Sequence, residues 1–137
     1  MGIKKGLRIL VVDDNHDLRN AIMFLLELLD HDAVGAESAE RAEILIKEYQ
    51  FELIFSDIKM KGKDGLAFSK ELNDSHPDMP VVLMTAYNDF GEFLEEARKL
   101  KVFDVFPIPL TEEKVLEVIN RMRSKNERKS IYLQDKT

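Results

Sequence analysis

Cysteine is absent from the 137 residues, which excludes disulfides, thiolate nucleophiles and cysteine-based zinc or iron–sulfur centres and fits a reducing compartment such as the cytoplasm. Long hydrophobic runs are missing as well. The first apolar stretch, Leu7 to Val12, falls short of a signal-peptide core and far short of the roughly 20 residues a membrane span needs, so neither membrane embedding nor targeting is expected. Positive charge is in short supply: 20 lysines and arginines stand against 26 acids, for a net charge of -6. Affinity for phosphate backbones rests on lysine and arginine, so direct nucleic-acid binding is not expected, and any DNA role would need another domain. The one basic stretch, Arg121 to Lys129, falls at the end of the last predicted helix and reads as a solvated helix end. His16, His31 and His76 are scattered and read as surface residues. Internal repeats and low-complexity segments are likewise missing.

What the chain does have is a regular alternation. Its 45% hydrophobic content is enough for the core of one ordinary domain. Strand-like runs at 7–12, 33–36, 52–56, 80–84 and 102–106 are each followed by apolar residues at helical spacing. The first helix, about Asn15 to Leu29, carries Leu18, Ala21, Ile22, Leu25 and Leu29 on one stripe, with Asp14 or Asn15 as its cap. The second follows Ser38 and turns Ala42, Leu45, Ile46 and Tyr49 inward. The third runs from Asp64 to Asn73 and stops before Pro77; the fourth, about Asp89 to Leu100, contains Gly91. The fifth follows Thr111, with Val115, Ile119 and Met122 inward. Five β-α units predict a three-layer α/β/α sandwich around a five-stranded parallel sheet of flavodoxin-like order 2-1-3-4-5.

That order gives the acids their meaning. Asp13 and Asp14 close the first strand, and Asp57 closes the third. The topological switch point falls between those two strands, so all three carboxylates are expected at one carboxyl edge. Two like charges 4 Å apart repel by roughly 4 kcal/mol at an effective dielectric of 20, so such a cluster points to a bound cation and phosphoryl chemistry rather than to packing. The bland alternative, an N-cap pair plus a loop aspartate, explains Asp14 but not all three.

These residues also resemble the receiver domain of bacterial response regulators in two-component signalling, across essentially residues 7–123. The resemblance rests on Val11-Val12-Asp13-Asp14-Asn15, on Asp57-Ile58-Lys59-Met60 followed by Asp64-Gly65-Leu66, on Met84-Thr85-Ala86, and on Pro109 after the fifth strand. It implies that Asp57 is the phosphoacceptor, charged by a histidine kinase, a phosphotransfer protein or a small acyl phosphate. It implies that Asp13, Asp14 and Asp57, with the backbone carbonyl of Lys59, hold Mg²⁺, a hard cation suited to oxygen ligands. Thr85 would be the switch hydroxyl, Ala86 would leave it room to move, and Gly65 would close the turn after the acceptor loop. The run Thr85-Ala86-Tyr87-Asn88-Asp89 is similar to one found in many receivers attached to transcription activators.

Several positions depart from the family pattern. A lysine ordinarily precedes the proline after the fifth strand, and here Ile108 stands there. That lysine pairs with the phosphoryl group in the family, so the resemblance implies phosphorylation with weakened or altered coupling. A charge-assisted hydrogen bond contributes about 1.5–3 kcal/mol, against about 5.5 kcal/mol for moving a two-state switch from 1:99 to 99:1. Val105 replaces a frequent tyrosine or phenylalanine, and Phe106 should face the other side of its strand. Lys61 replaces a usual proline. One of Lys59, Lys61 or Lys63 is a candidate to supply the missing cation. Ile108-Pro109 is a candidate cis bond by the same resemblance, with both isomers open.

The expected assignment is therefore a receiver domain over 1–123, followed by a polar tail or truncated linker over 124–137. It is a switch rather than a conventional enzyme, with a homodimer through the fourth helix, fifth strand and fifth helix, or an effector domain beyond the carboxyl terminus, in view. A pseudo-receiver acting as a phosphorylation-independent interaction module is the alternative, on the evidence of Ile108 and Val105. A haloacid-dehalogenase-type enzyme is disfavoured because Lys59 stands where its second acid would be. A flavin carrier is disfavoured because the loop after the first strand is acidic rather than a phosphate cradle.

Overall fold

Successive side chains of a strand point to opposite faces, so strands apolar on both faces must be covered twice. The computed structural model describes residues 6–124; of the tail expected over 124–137, Ser124 ends the last helix and the rest lies outside the described residues. Five parallel strands, β1 (Arg8–Val12), β2 (Asp32–Ala36), β3 (Leu53–Asp57), β4 (Val81–Ala86) and β5 (Asp104–Ile108), pair in the order β2-β1-β3-β4-β5. They alternate with α1 (His16–Leu28), α2 (Ala39–Glu48), α3 (Gly65–Ser75), α4 (Phe90–Lys99) and α5 (Glu112–Ser124). On one face Leu10, Val12, Ile54, Leu83 and Val105 pack with Ala42, Leu45, Phe68, Leu72 and Ala97 from α2, α3 and α4. On the other, Ile9, Val11, Phe55, Met84 and Phe106 pack with Ile22 and Leu26 of α1 and Val115, Val118 and Ile119 of α5. This is the expected three-layer sandwich, and Val105 and Phe106 do face opposite sides.

Helix starts follow the capping chemistry. Asn15 accepts from the Leu18 N–H at 3.0 Å, Ser38 from Arg41 at 3.0 Å, Asp64 from Ala67 at 2.8 Å and Thr111 from Lys114 at 3.3 Å. Each satisfies one of the donors a helix leaves unpaired in its first turn. A 3-10 turn, Tyr87–Asp89, precedes α4 and delays its start to Phe90.

Local readings fail where tertiary contacts override pattern. β5 begins two residues later than its apolar run and includes Pro107; among the described residues it lies at the sheet edge, where a missing N–H is tolerated. On α1 Ile22 is buried as expected, Leu26 joins it, and Ala21 is exposed. Tyr49 is about half exposed, at the C-cap of α2 with its ring edge-on to Phe51.

Two polar residues expected at the surface are structural. His31 is 9% exposed, and its Nδ1 accepts the Leu7 N–H at 2.9 Å, pinning the entry to β1. Burial, reinforced by Arg123, pushes its pKa down and favours the neutral ring that can accept this bond. Of the basic stretch, 125–129 lie outside the described residues and Arg123 is exposed, but Arg121 is not a solvated helix end: its guanidinium pairs with the fully buried Asp104 and lies 4.6 Å from the Phe103 ring centroid. His16 and His76 are exposed.

Candidate functional site

The carboxyl edges of β1 and β3 lie side by side because Val12 pairs with Ser56. One oxygen from each of Asp13, Asp14 and Asp57 falls within 4.8 Å of the others, with Asp13 buried, Asp57 half-buried and Asp14 exposed. Asp13 extends the ladder of β1, its N–H donating to Ala36 O at 3.0 Å. Its Oδ1 accepts from the Asn15 N–H at 2.9 Å. Oδ2 is buried and has no hydrogen-bond partner among the described residues. An orphaned anionic oxygen in a buried site is costly unless something positive meets it. Asp14 is released from capping because Asn15 takes that role, and its Oδ2 instead accepts the Lys61 N–H at 3.0 Å.

Asp57 is held by the turn that follows it. Its Oδ1 accepts the Ile58 N–H at 2.9 Å, and the Gly65 N–H closes the loop onto Ile58 O at 2.8 Å. A Cβ on Gly65 would stand 2.2 Å from Asp57 O, so only glycine permits this approach. Burial, then the Asp13 carboxylate, pushes the Asp57 pKa up to about 7, with Asp14 and Asp89 adding to the rise and the Ile58 N–H opposing it. Burial likewise raises Asp13, with Asp14 contributing. Two carboxylates that resist ionising together are a setting in which an oxygen-seeking cation binds well.

Asp57 pairs with Met84 on β4, and Thr85 follows immediately. Thr85 is 1% exposed, and its Oγ1 has no partner among the described residues. On β5, Ile108 pairs with Ala86 and packs with Leu110 against the α1/α5 core. The Ile108-Pro109 bond is cis.

The loop lysines separate clearly. Lys63 turns away, its Nζ bonded to Glu43 at 2.7 Å and also paired with Glu71, which joins α2 to α3. Lys61 contributes its backbone N–H to Asp14. Lys59 reaches across the mouth of the site to Asp89 Oδ2 at 3.2 Å and lies 5.9 Å from the Phe93 ring centroid. An open cleft of about 410 Å³, lined by residues including Asp14, Lys59 and Phe93, adjoins the acids. Neither Asp89 nor Phe93 stood out in the sequence as a site residue. Asp89 sits in a helix-start context that reads as capping, and Phe93 fits a core stripe.

The sequence matches the response regulator receiver domain over residues 9–120. The chain belongs to that family. Among similar proteins, the response regulator protein FleR of Pseudomonas aeruginosa is 35% identical over 67% of this chain and 20% of its own length. The transcriptional regulatory protein ZraR of Escherichia coli is 34% identical over 77% of this chain and 24% of its own. This receiver thus spans about a fifth to a quarter of those relatives. In structure it is similar to the receiver domain of NtrX from Brucella abortus, with a TM-score of 0.77, 28% identity and coverage of 86% of this chain and 99% of that one. As a receiver of two-component signalling it is a signalling module, built on the expected sheet with the expected acids at its carboxyl edge. No helix of the described residues is long and apolar enough to cross a membrane.

Proposed function

We propose that this receiver accepts a phosphoryl group on Asp57 from a phosphohistidine donor, a histidine kinase or phosphotransfer protein, in a Mg²⁺-dependent reaction. The observation that supports it most is the meeting of three carboxylate oxygens within 4.8 Å, together with two buried oxygens, Asp13 Oδ2 and Thr85 Oγ1, that have no partner among the described residues. In the transfer, an ionised Asp57 oxygen attacks phosphorus, the bond from phosphorus to the imidazole nitrogen breaks, and the imidazole leaves with the electron pair. The new acyl phosphate then presents oxygens to the buried Thr85 hydroxyl, which donates to one of them. Residues that fit Mg²⁺ are Asp13, Asp14, Asp57 and the Lys59 carbonyl; when bound, the ion offsets the carboxylate charge and the incoming phosphoryl charge. Its binding also favours ionised Asp57, the nucleophilic form, against the rise that burial imposes.

Ile108 is partly buried and packs against the apolar core rather than offering a charge. We place the consequence in signalling: the chemistry at Asp57 is retained while its coupling to β4 and β5 is weakened. That observation also favours a second reading, a pseudo-receiver whose output depends on a protein partner and not on phosphorylation. Beyond the site, our assignment takes 1–123 as the receiver and 124–137 as a polar tail or linker to an effector domain, with pairing of two copies through α4, β5 and α5. A cytoplasmic location and the absence of direct nucleic-acid or membrane binding complete the assignment.

Acetyl phosphate with Mg²⁺, followed by intact mass, separates the two readings. One added phosphoryl group, lost in Asp57→Ala and in the presence of a chelator, is the expected result. No gain under any condition sinks phosphoacceptance and leaves the pseudo-receiver.

A further inference from the structure

The Lys59–Asp89 pair joins two loops that both border the acidic site. Lys59 lies two residues after Asp57, and Asp89 lies four after Thr85. Asp89 stands at the N-cap of α4 yet makes no side-chain capping bond there; its carboxylate faces the Lys59 ammonium at 3.2 Å. The lysine side chain is 63% exposed, and exposed ion pairs are weak enough to be exchanged readily. Asp89 is also close enough for its charge to act on Asp57. The ammonium held by Asp89 belongs to a residue that lines the cleft adjoining the acids, where a phosphoryl group on Asp57 would add a charge of about -1.5 to -2. Lys61 is engaged through its backbone, and Lys63 is tied to α2 and α3.

We infer that Lys59 is the cation that receives the phosphoryl charge in this chain, leaving Asp89 for a phosphoryl oxygen and so releasing the first turn of α4. This rests on phosphoacceptance by Asp57. The exchange has a physical driving force, because a dianionic group outcompetes one carboxylate for the same ammonium. Its consequence is local: Asp89, freed, is available to cap the first turn of α4, and Phe93 loses the ammonium near its ring. The chain thereby reads phosphorylation through the loop after β3 and the start of α4, in place of the β5 position occupied by Ile108.

Beryllium fluoride, which forms an acyl-phosphate-like adduct with a carboxylate, tests this when titrated with Mg²⁺ into the full chain and followed by calorimetry and amide resonances. Lys59→Met is expected to weaken binding at least fivefold. Asp89→Asn is expected to tighten it, and most of that gain should vanish in the Lys59→Met background. Amide shifts at Glu92 and Phe93 on adduct formation should shrink in Lys59→Met. A merely structural ion pair would move both single variants in the same direction, and that result, or a change of less than twofold in Lys59→Met, overturns the inference. If acetyl phosphate adds no mass to the wild-type chain, phosphoacceptance and this inference fall together. If it does while the lysine variant binds normally, only the exchange is lost.

Discussion

Asp57 lies within 4.8 Å of Asp13, oxygen to oxygen, and after burial the Asp13 charge is the strongest influence raising its pKa. The folded value of about 7 exceeds the 3.8 of a free aspartate, so the folded chain holds this proton more tightly than the unfolded one. The resulting stabilisation is complete below the unfolded value and is lost as pH rises through about 7. At pH 8 the ionised carboxylate is a liability. With a chelator present, Asp57→Asn should raise stability by about 1–2 kcal/mol at pH 8, after screening by solvent, and by progressively less toward pH 4. Urea unfolding at several pH values measures this, and a gain independent of pH would contradict it.

The same acids set the response to metal. Protons and a divalent ion compete for Asp57 and Asp13, both of which hold protons more tightly than free aspartate. Mg²⁺ should therefore raise the melting temperature more at pH 8 than at pH 5.5. A concentration 100 times the dissociation constant corresponds to about 2.7 kcal/mol. Asp13→Asn should lose most of the effect. Thermal melts with and without Mg²⁺ test both statements, and equal shifts at the two pH values would count against the metal site.

Much of this was legible in the sequence because alternation and switch-point topology are strong signals. The strand endings alone brought Asp13, Asp14 and Asp57 to one edge, and the order 2-1-3-4-5 followed from the β-α repeat. What was not legible depends on partners distant in sequence. Asn15, not Asp14, caps α1, and this frees Asp14 to accept from Lys61, 47 residues away. His31 and Arg121 look like surface residues by type, yet each is fixed by a contact that pattern does not encode. Lys59 and Lys63 were equivalent as letters, and only side-chain direction separates them.

Gly91 illustrates a local cost with no compensating contact. It occupies the first turn of α4, and a Cβ built there meets nothing within 4 Å. Alanine should therefore fit without strain and restrict the unfolded chain. Gly91→Ala is expected to stabilise the fold by about 0.5–1 kcal/mol. Gly65→Ala should do the reverse, since its Cβ would collide with the Asp57 carbonyl. Denaturant midpoints of the two variants should move in opposite directions.

The link between β5 and α5 is a different kind of polar contact. Asp104 is fully buried, with Oδ1 accepting the Val105 N–H at 2.8 Å and Oδ2 meeting Arg121 Nη1 at 2.5 Å. Removing the arginine leaves a carboxylate in the core without its guanidinium, so Arg121→Met should cost about 3 kcal/mol. Removing both charges at once is less costly, because taking two ions out of water offsets much of their attraction. Asp104→Leu with Arg121→Met should therefore be more stable than Arg121→Met alone, despite carrying one more substitution. Chemical denaturation of the four chains in that cycle decides the matter. If the double variant is the least stable, Asp104 supports β5 by more than its charge, and the bond its Oδ1 accepts from the Val105 N–H becomes the larger part of the contact.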